Sequence, residues 1–211
     1  ETIVAQMAVY QMGAICVPLT VLFGPDALRY RLHDSDARVA IVGPHSIDNV
    51  LAVRDQLPQL EHVIGISRVN SDAVLHWVDL LEPESDQYAC ADTAATDPAL
   101  IIYTSGTTGN PKGALMPHSV ILGNLVGFSH SHDGFPQPGD RFWSPADWAW
   151  TGGIMDALLP TLYYGQTLVA YRGRFEPEMA FRLMERHGVR NTFLFPTALK
   201  MMMKAFPRPR D

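Results

Sequence analysis

The sequence predicts an α/β fold in which parallel sheets are flanked by helices, and three observations carry that expectation. Short runs of branched apolar residues alternate with longer amphipathic stretches along the chain. Glycine and proline, sixteen of each in 211 residues, punctuate most of the junctions. The longest uncharged stretch, residues 2 to 25, is interrupted by Gln6, Gln11, Gly13 and Pro18, so it reads as a helix followed by a buried strand rather than a membrane span.

Residues 1 to 14 read as a helix with Ile3, Met7, Tyr10 and Ala14 on one face, and residues 15 to 19 as a short buried strand. Gly24-Pro25-Asp26 is a turn that starts a second helix through His33, with Leu28 and Leu32 at i,i+4 spacing. Residues 38 to 42 read as a strand closed by Gly43-Pro44, 46 to 57 as a helix and 62 to 66 as a strand. Strands and helices that alternate in this way favour a parallel sheet with right-handed crossovers. The polar, turn-rich stretches between 67 and 96, with one apolar patch at Trp77 to Leu81, break the rhythm. They predict two subdomains, 1–96 and 97–211.

The rhythm resumes with a buried parallel strand at 99 to 103, a glycine-rich loop, and a strand at 113 to 117. A helix over 119 to 129 should turn Ile121, Leu122, Leu125 and Val126 inward. Strands at 141 to 144, 166 to 171 and 190 to 195 alternate with helices at 152 to 163, 176 to 187 and 197 to 205. The last helix carries Met201, Met202 and Met203, which read as core filling.

Composition narrows the function. At 47% hydrophobic and 18% charged residues the chain is ordinary for a globular protein, and a net charge of −6 without a basic stripe argues against a nucleic-acid partner. The two cysteines, Cys16 and Cys90, form no zinc or redox motif and suggest a reducing, cytoplasmic setting. The eight histidines form no metal-like cluster, and neither a nucleophile elbow nor a paired-carboxylate arrangement is present. Because the chain opens at Glu1, inside what reads as a helix, it looks like a segment of a longer protein.

The chemistry concentrates in Tyr103-Thr104-Ser105-Gly106-Thr107-Thr108-Gly109-Asn110-Pro111-Lys112-Gly113. Three glycines let backbone N–H groups approach anionic oxygens, four hydroxyls add donors, and Lys112 adds a compact positive charge. Charge-assisted bonds of this kind contribute roughly 1.5–3 kcal/mol each, so three or four could hold a polyphosphate. The same residue types also make ordinary surface turns. A Walker loop is disfavoured, because it needs glycine immediately before the lysine and Pro111 stands there.

This stretch resembles the signature loop of the adenylate-forming, or AMP-binding, enzymes, with Asp97-Pro98 before it and His118 after it in the usual places. The resemblance implies that Thr104, Ser105, Gly106, Thr107, Thr108, Gly109 and Lys112 bind the phosphates of ATP, and that Lys112 stabilises the leaving pyrophosphate. Asp147, Trp150 and Gly153 match a segment beside the acyl pocket of acyl-CoA synthetases, which makes Trp150 and Gly153 pocket candidates. Trp148 departs from the small or aliphatic residue usual there, and two close tryptophans also suit a core. Phe193-Leu194-Phe195-Pro196-Thr197 is similar to the family's strand leading to a Pro-Thr turn. His118 reads as a structural residue, capping a helix or bonding a loop, more readily than as a proton carrier.

The resemblance to the acyl-CoA synthetase branch, closer to acetyl- and medium-chain enzymes than to others, implies ATP-dependent activation of a carboxylic acid followed by transfer to coenzyme A. Its cofactors and co-substrates would be ATP, Mg²⁺ and coenzyme A, with no metal held by residues of this segment. The alternatives are a non-catalytic ATP-binding module and the amino-acid adenylation domain of a peptide synthetase. The family's Tyr-Gly-x-Thr-Glu segment, ribose-binding Asp and C-terminal catalytic Lys are not among these residues. A partial large N-terminal domain, inactive alone, is therefore expected.

Overall fold

A computed structural model describes residues 1–105 and 109–208. It is a mixed α/β structure of two compact units, residues 1–118 and 119–211.

In the first unit, helices α1 (Thr2–Gln11) and α2 (Pro25–Asp34) precede strand β1 (Val39–Val42), helix α3 (Ile47–Leu51), strands β2 (His62–Gly65) and β3 (Leu75–His76), and helix α4 (Trp77–Leu81). Strands β1, β2 and β3 form a parallel sheet in that order. Leu28 and Leu32 of α2 pack with Ala40, Val42, Ile47, Val50, Leu57, Leu60 and Val63 in one core, so the i,i+4 pair faces inward as its spacing requires. The helix expected over 46 to 57 ends at Leu51 and resumes as a single 3₁₀ turn at Arg54–Gln56. This shortening lets Val53 and Leu57 both turn into the core.

Strand β4 (Pro98–Thr104) corrects the expectation of a parallel strand. It pairs antiparallel with β5 (Lys112–Pro117) as a hairpin, from Thr104↔Lys112 at the tip to Pro98↔Pro117 at the base. A run with both faces covered reads alike in either orientation, which is why the sequence did not separate them. The strand expected at 15 to 19 is a single parallel bridge, Cys16↔Leu100, in which Cys16 N–H donates to Ala99 O and Ile101 N–H to Cys16 O. Burial raises the Cys16 thiol from 9.0 to about 11, as expected for a thiol in an apolar run. Through this bridge, and through Tyr103, the hairpin belongs to the first unit. The units accordingly divide after His118, not after Thr96.

The second unit begins with α5 (Val120–Ser131) and is built on a parallel sheet of β6 (Arg141–Trp143), β7 (Thr167–Val169) and β8 (Asn191–Thr192), with β6 central. Phe128, Phe135, Phe142 and Ala157 make one cluster; Trp143, Ala180, Leu183 and Met202 make another with helices α8 (Pro177–His187) and α9 (Pro196–Ala205). The α5 face differs from expectation. Leu125 and Phe128 are buried, whereas Leu122 is 52% and Val126 79% exposed. Phe128 decides this, because its ring lies 5.2 Å from Phe135 and 5.3 Å from Phe142 and so rotates the helix about that contact. Of the three methionines of α9 only Met202 is buried, since successive helical residues point about 100° apart.

The helix expected over 152 to 163 comprises α6 (Thr151–Gly153), a π turn at Ile154–Leu158, and α7 (Leu159–Tyr163). Pro160 explains the irregularity. It has no N–H to return to the preceding turn, and Asn124 Nδ2 donates to the Met155 carbonyl instead.

Candidate functional site

The hairpin puts the two ends of the glycine-rich loop side by side. Thr104 is the last residue of β4, Lys112 the first of β5, and the two are register partners. Thr104, Ser105, Gly109 and Lys112 are all exposed at this tip. Gly106, Thr107 and Thr108 lie outside the described residues. Gly109 carries a φ of +96°, a conformation that favours glycine. Among the described residues no ion pair includes Lys112, so its charge is not spent on the fold.

Beneath the tip is a supporting layer from α2 that carries no local signal in the sequence. The Tyr103 hydroxyl is buried and lies 2.6 Å from Asp34 Oδ2 and 3.2 Å from the Arg31 carbonyl. Burial first, and the Asp34 carboxylate next, push this phenol above the ordinary tyrosine range, which keeps it a donor. The Tyr30 hydroxyl donates to the Pro111 carbonyl at 2.9 Å, and its ring meets that of Tyr103 edge-on, with centroids 6.4 Å apart. The Arg31 guanidinium lies 4.0 Å from the Phe23 ring centroid and 5.5 Å from that of Tyr103. Gly113, the register partner of Tyr103, has to be a glycine. A Cβ there would stand 2.9 Å from Ile101 Cγ2 and 3.3 Å from Tyr103 Cζ.

His118 is anchored by its backbone, whose N–H donates to Asp97 O at 3.0 Å, and its ring meets Tyr10 edge-on. The cap position of α5 is Ser119, so the structural role of His118 is packing rather than capping.

The second stretch lies in the other unit. Asp147 accepts from Ala149 N–H through Oδ1 at 2.9 Å and from Trp150 N–H through its carbonyl at 3.1 Å, a tight turn that leads into α6. Trp150 is 40% exposed, so its ring is not part of the core. Gly153 is buried directly against the Asp147 carbonyl. Packing against backbone already accounts for a glycine at 153.

The profile of a family described as AMP-binding enzyme matches residues 1–211. The chain is 30% identical over 197 residues to an acetyl-coenzyme A synthetase of Bacillus subtilis, covering 92% of the chain and 34% of that protein. It is 28% identical to the acetyl-coenzyme A synthetase of Escherichia coli, covering 96% of the chain and again 34% of the relative. Among solved structures, an acyl-CoA synthetase of Brucella canis superposes with a TM-score of 0.86 at 23% identity, over 98% of this chain and 37% of that one. The chain thus spans about a third of the length of the curated relatives it matches.

Proposed function

The chain belongs to the AMP-binding enzyme family, and on that premise we propose that the whole protein activates a carboxylic acid with ATP and transfers the acyl group to coenzyme A. A small acid, acetate or one of medium chain length, is the proposed substrate; the relatives named acetyl-coenzyme A synthetase support it. A cytoplasmic setting accompanies the proposal, supported by two free cysteines. Among the described residues no helix is long and apolar enough to cross a membrane.

The observation that supports the reading is the pairing of Thr104 with Lys112 at the mouth of the loop, with no ion pair to Lys112 among the described residues. In the proposed reaction a carboxylate oxygen attacks the α-phosphorus of ATP, the bond to the β-phosphate breaks, and pyrophosphate leaves. The thiol of coenzyme A then displaces AMP from the acyl-adenylate, giving a thioester and losing its proton. Thr104, Ser105, Gly106, Thr107, Thr108, Gly109 and Lys112 would hold the β- and γ-phosphates, and Lys112 would offset charge that grows on pyrophosphate as it departs. Trp150, with its half-open ring, and Gly153, whose missing side chain keeps its turn tight, are the proposed acyl-pocket residues of this chain. Mg²⁺ would enter as the counter-ion of ATP. Among the described residues no group of three or more His, Cys, Asp or Glu side chains could hold a metal ion.

The product pattern tests this. With acetate and coenzyme A, the whole protein should convert ATP to AMP and pyrophosphate in equal amounts, matched by thioester. Formation of ADP, or ATP consumption independent of any acid, would overturn the proposal. A faster reaction with amino acids than with any fatty acid would transfer it to the peptide-synthetase class.

A further inference from the structure

We propose that Tyr30 is a positioning residue for Lys112, acting through the peptide that precedes it; the role in catalysis rests on the reading above. Two tethers join α2 to the feet of the loop. Tyr103, one residue before Thr104, reaches Asp34 Oδ2 at 2.6 Å and the Arg31 carbonyl at 3.2 Å. Tyr30, one turn earlier on the same helix, reaches the Pro111 carbonyl at 2.9 Å across 81 residues of sequence. Pro111 is bonded directly to Lys112, so the Tyr30 hydroxyl fixes the carbonyl from which the lysine backbone departs.

The geometry makes this tether specific. Proline holds its own φ near −65°, so once its carbonyl is fixed the direction of the chain into Lys112 is largely determined. The Tyr30 ring is braced edge-on against Tyr103, and Tyr103 lies over Gly113, whose missing side chain makes room for it. The hydroxyl is therefore presented by a ring that is itself held. Lys112 is exposed and has no ion-pair partner among the described residues, so little besides its backbone restrains its location. Sub-ångström placement of a charge at a reacting centre matters strongly for rate. Among the described residues the Tyr30 hydroxyl bonds the Pro111 carbonyl, and the ring alone provides the contact with Tyr103.

Tyr30→Phe keeps that contact and removes one hydrogen bond. In the whole protein we expect acid-dependent pyrophosphate exchange into ATP to fall about five-fold, the KM for the acid to hold, and the thermal midpoint to fall by no more than about 2–4 °C. In a Lys112→Ala background the same change should have no further effect, because the tether acts through that lysine. Cleavage by trypsin after Lys112, followed by mass spectrometry, should accelerate about five-fold in Tyr30→Phe as the foot of the loop opens more often. Equal exchange in Tyr30→Phe and wild type, or the full five-fold loss persisting on top of Lys112→Ala, would overturn the positioning role. An unchanged rate of cleavage after Lys112 would overturn the tether itself. If the wild-type protein exchanges with no acid, the adenylation reading falls; the cleavage rate still decides whether Tyr30 holds the loop foot.

Discussion

Lys112→Ala in the whole protein lowers acid-dependent exchange of pyrophosphate into ATP by about 10²- to 10³-fold and leaves folding unchanged. The first half of this expectation comes from the charge. As the bond between the α- and β-phosphates breaks, negative charge grows on the departing pyrophosphate, and a fixed donor aimed at that growing charge is worth roughly 3–4 kcal/mol. Lys112 stands at the foot of the loop opposite Thr104, with no carboxylate neutralising it among the described residues. Because the interaction strengthens in the transition state, kcat should fall, and because Lys112 would also hold the phosphates of bound ATP, the KM for ATP should rise. The second half comes from exposure. An exposed side chain is ordinarily worth less than about 0.5 kcal/mol to stability. Lys112→Arg should recover only part of the rate, since a planar fork does not reproduce a compact ammonium. Wild-type exchange kinetics in Lys112→Ala would remove this residue from the mechanism.

Gly153→Ala unfolds at a markedly lower temperature than wild type, with a loss of about 3 kcal/mol or more. A Cβ at this position would stand 2.1 Å from the Asp147 carbonyl oxygen, 2.5 Å from its carbon and 2.9 Å from the Trp148 nitrogen. All three are backbone atoms, so no rotamer change relieves the overlap. Either the turn from Asp147 to Trp150 must move or α6 must. That turn is held by the Asp147 side chain on Ala149 N–H and by the Asp147 carbonyl on Trp150 N–H, and a displacement costs those bonds as well. Gly123 offers the contrast on α5, where a Cβ would meet nothing within 4 Å. There alanine should be neutral or stabilise by up to about 1 kcal/mol, as in an open helix interior. A Gly153→Ala protein as stable as wild type, measured by the same thermal and denaturant unfolding, would contradict the packing argument. It would leave the acyl pocket as the remaining reason for glycine there.

The fold was legible where local chemistry decides it. The Gly24-Pro25-Asp26 turn and the Leu28/Leu32 pair are signals that act over a few residues, and the helix they predict is present. The orientation of β4 was not legible. Leu100, Ile101 and Ile102 are equally at home in a parallel or an antiparallel pair, and only the return of β5 beside β4 settles which. On α5 two apolar stripes overlap, and Phe128 rather than Leu122 or Val126 wins the core because Phe135 and Phe142 complete an aromatic cluster around it. At the candidate site the loop residues were legible as a motif, but their support was not. Tyr30 lies 81 residues from Pro111 and carries no local signal of the contact. Tyr103 was read as part of a buried strand, and its bond to Asp34 depends on α2 being packed beneath it.

Acid-dependent exchange of labelled pyrophosphate into ATP by the whole protein, with acids from acetate to long-chain and aromatic together with amino acids, tests the central claim most directly. Exchange that requires an acid and is strongest with a short or medium-chain carboxylate is the expected result. Saturable ATP binding without exchange for any acid would contradict it and leave a nucleotide-binding module without adenylation chemistry.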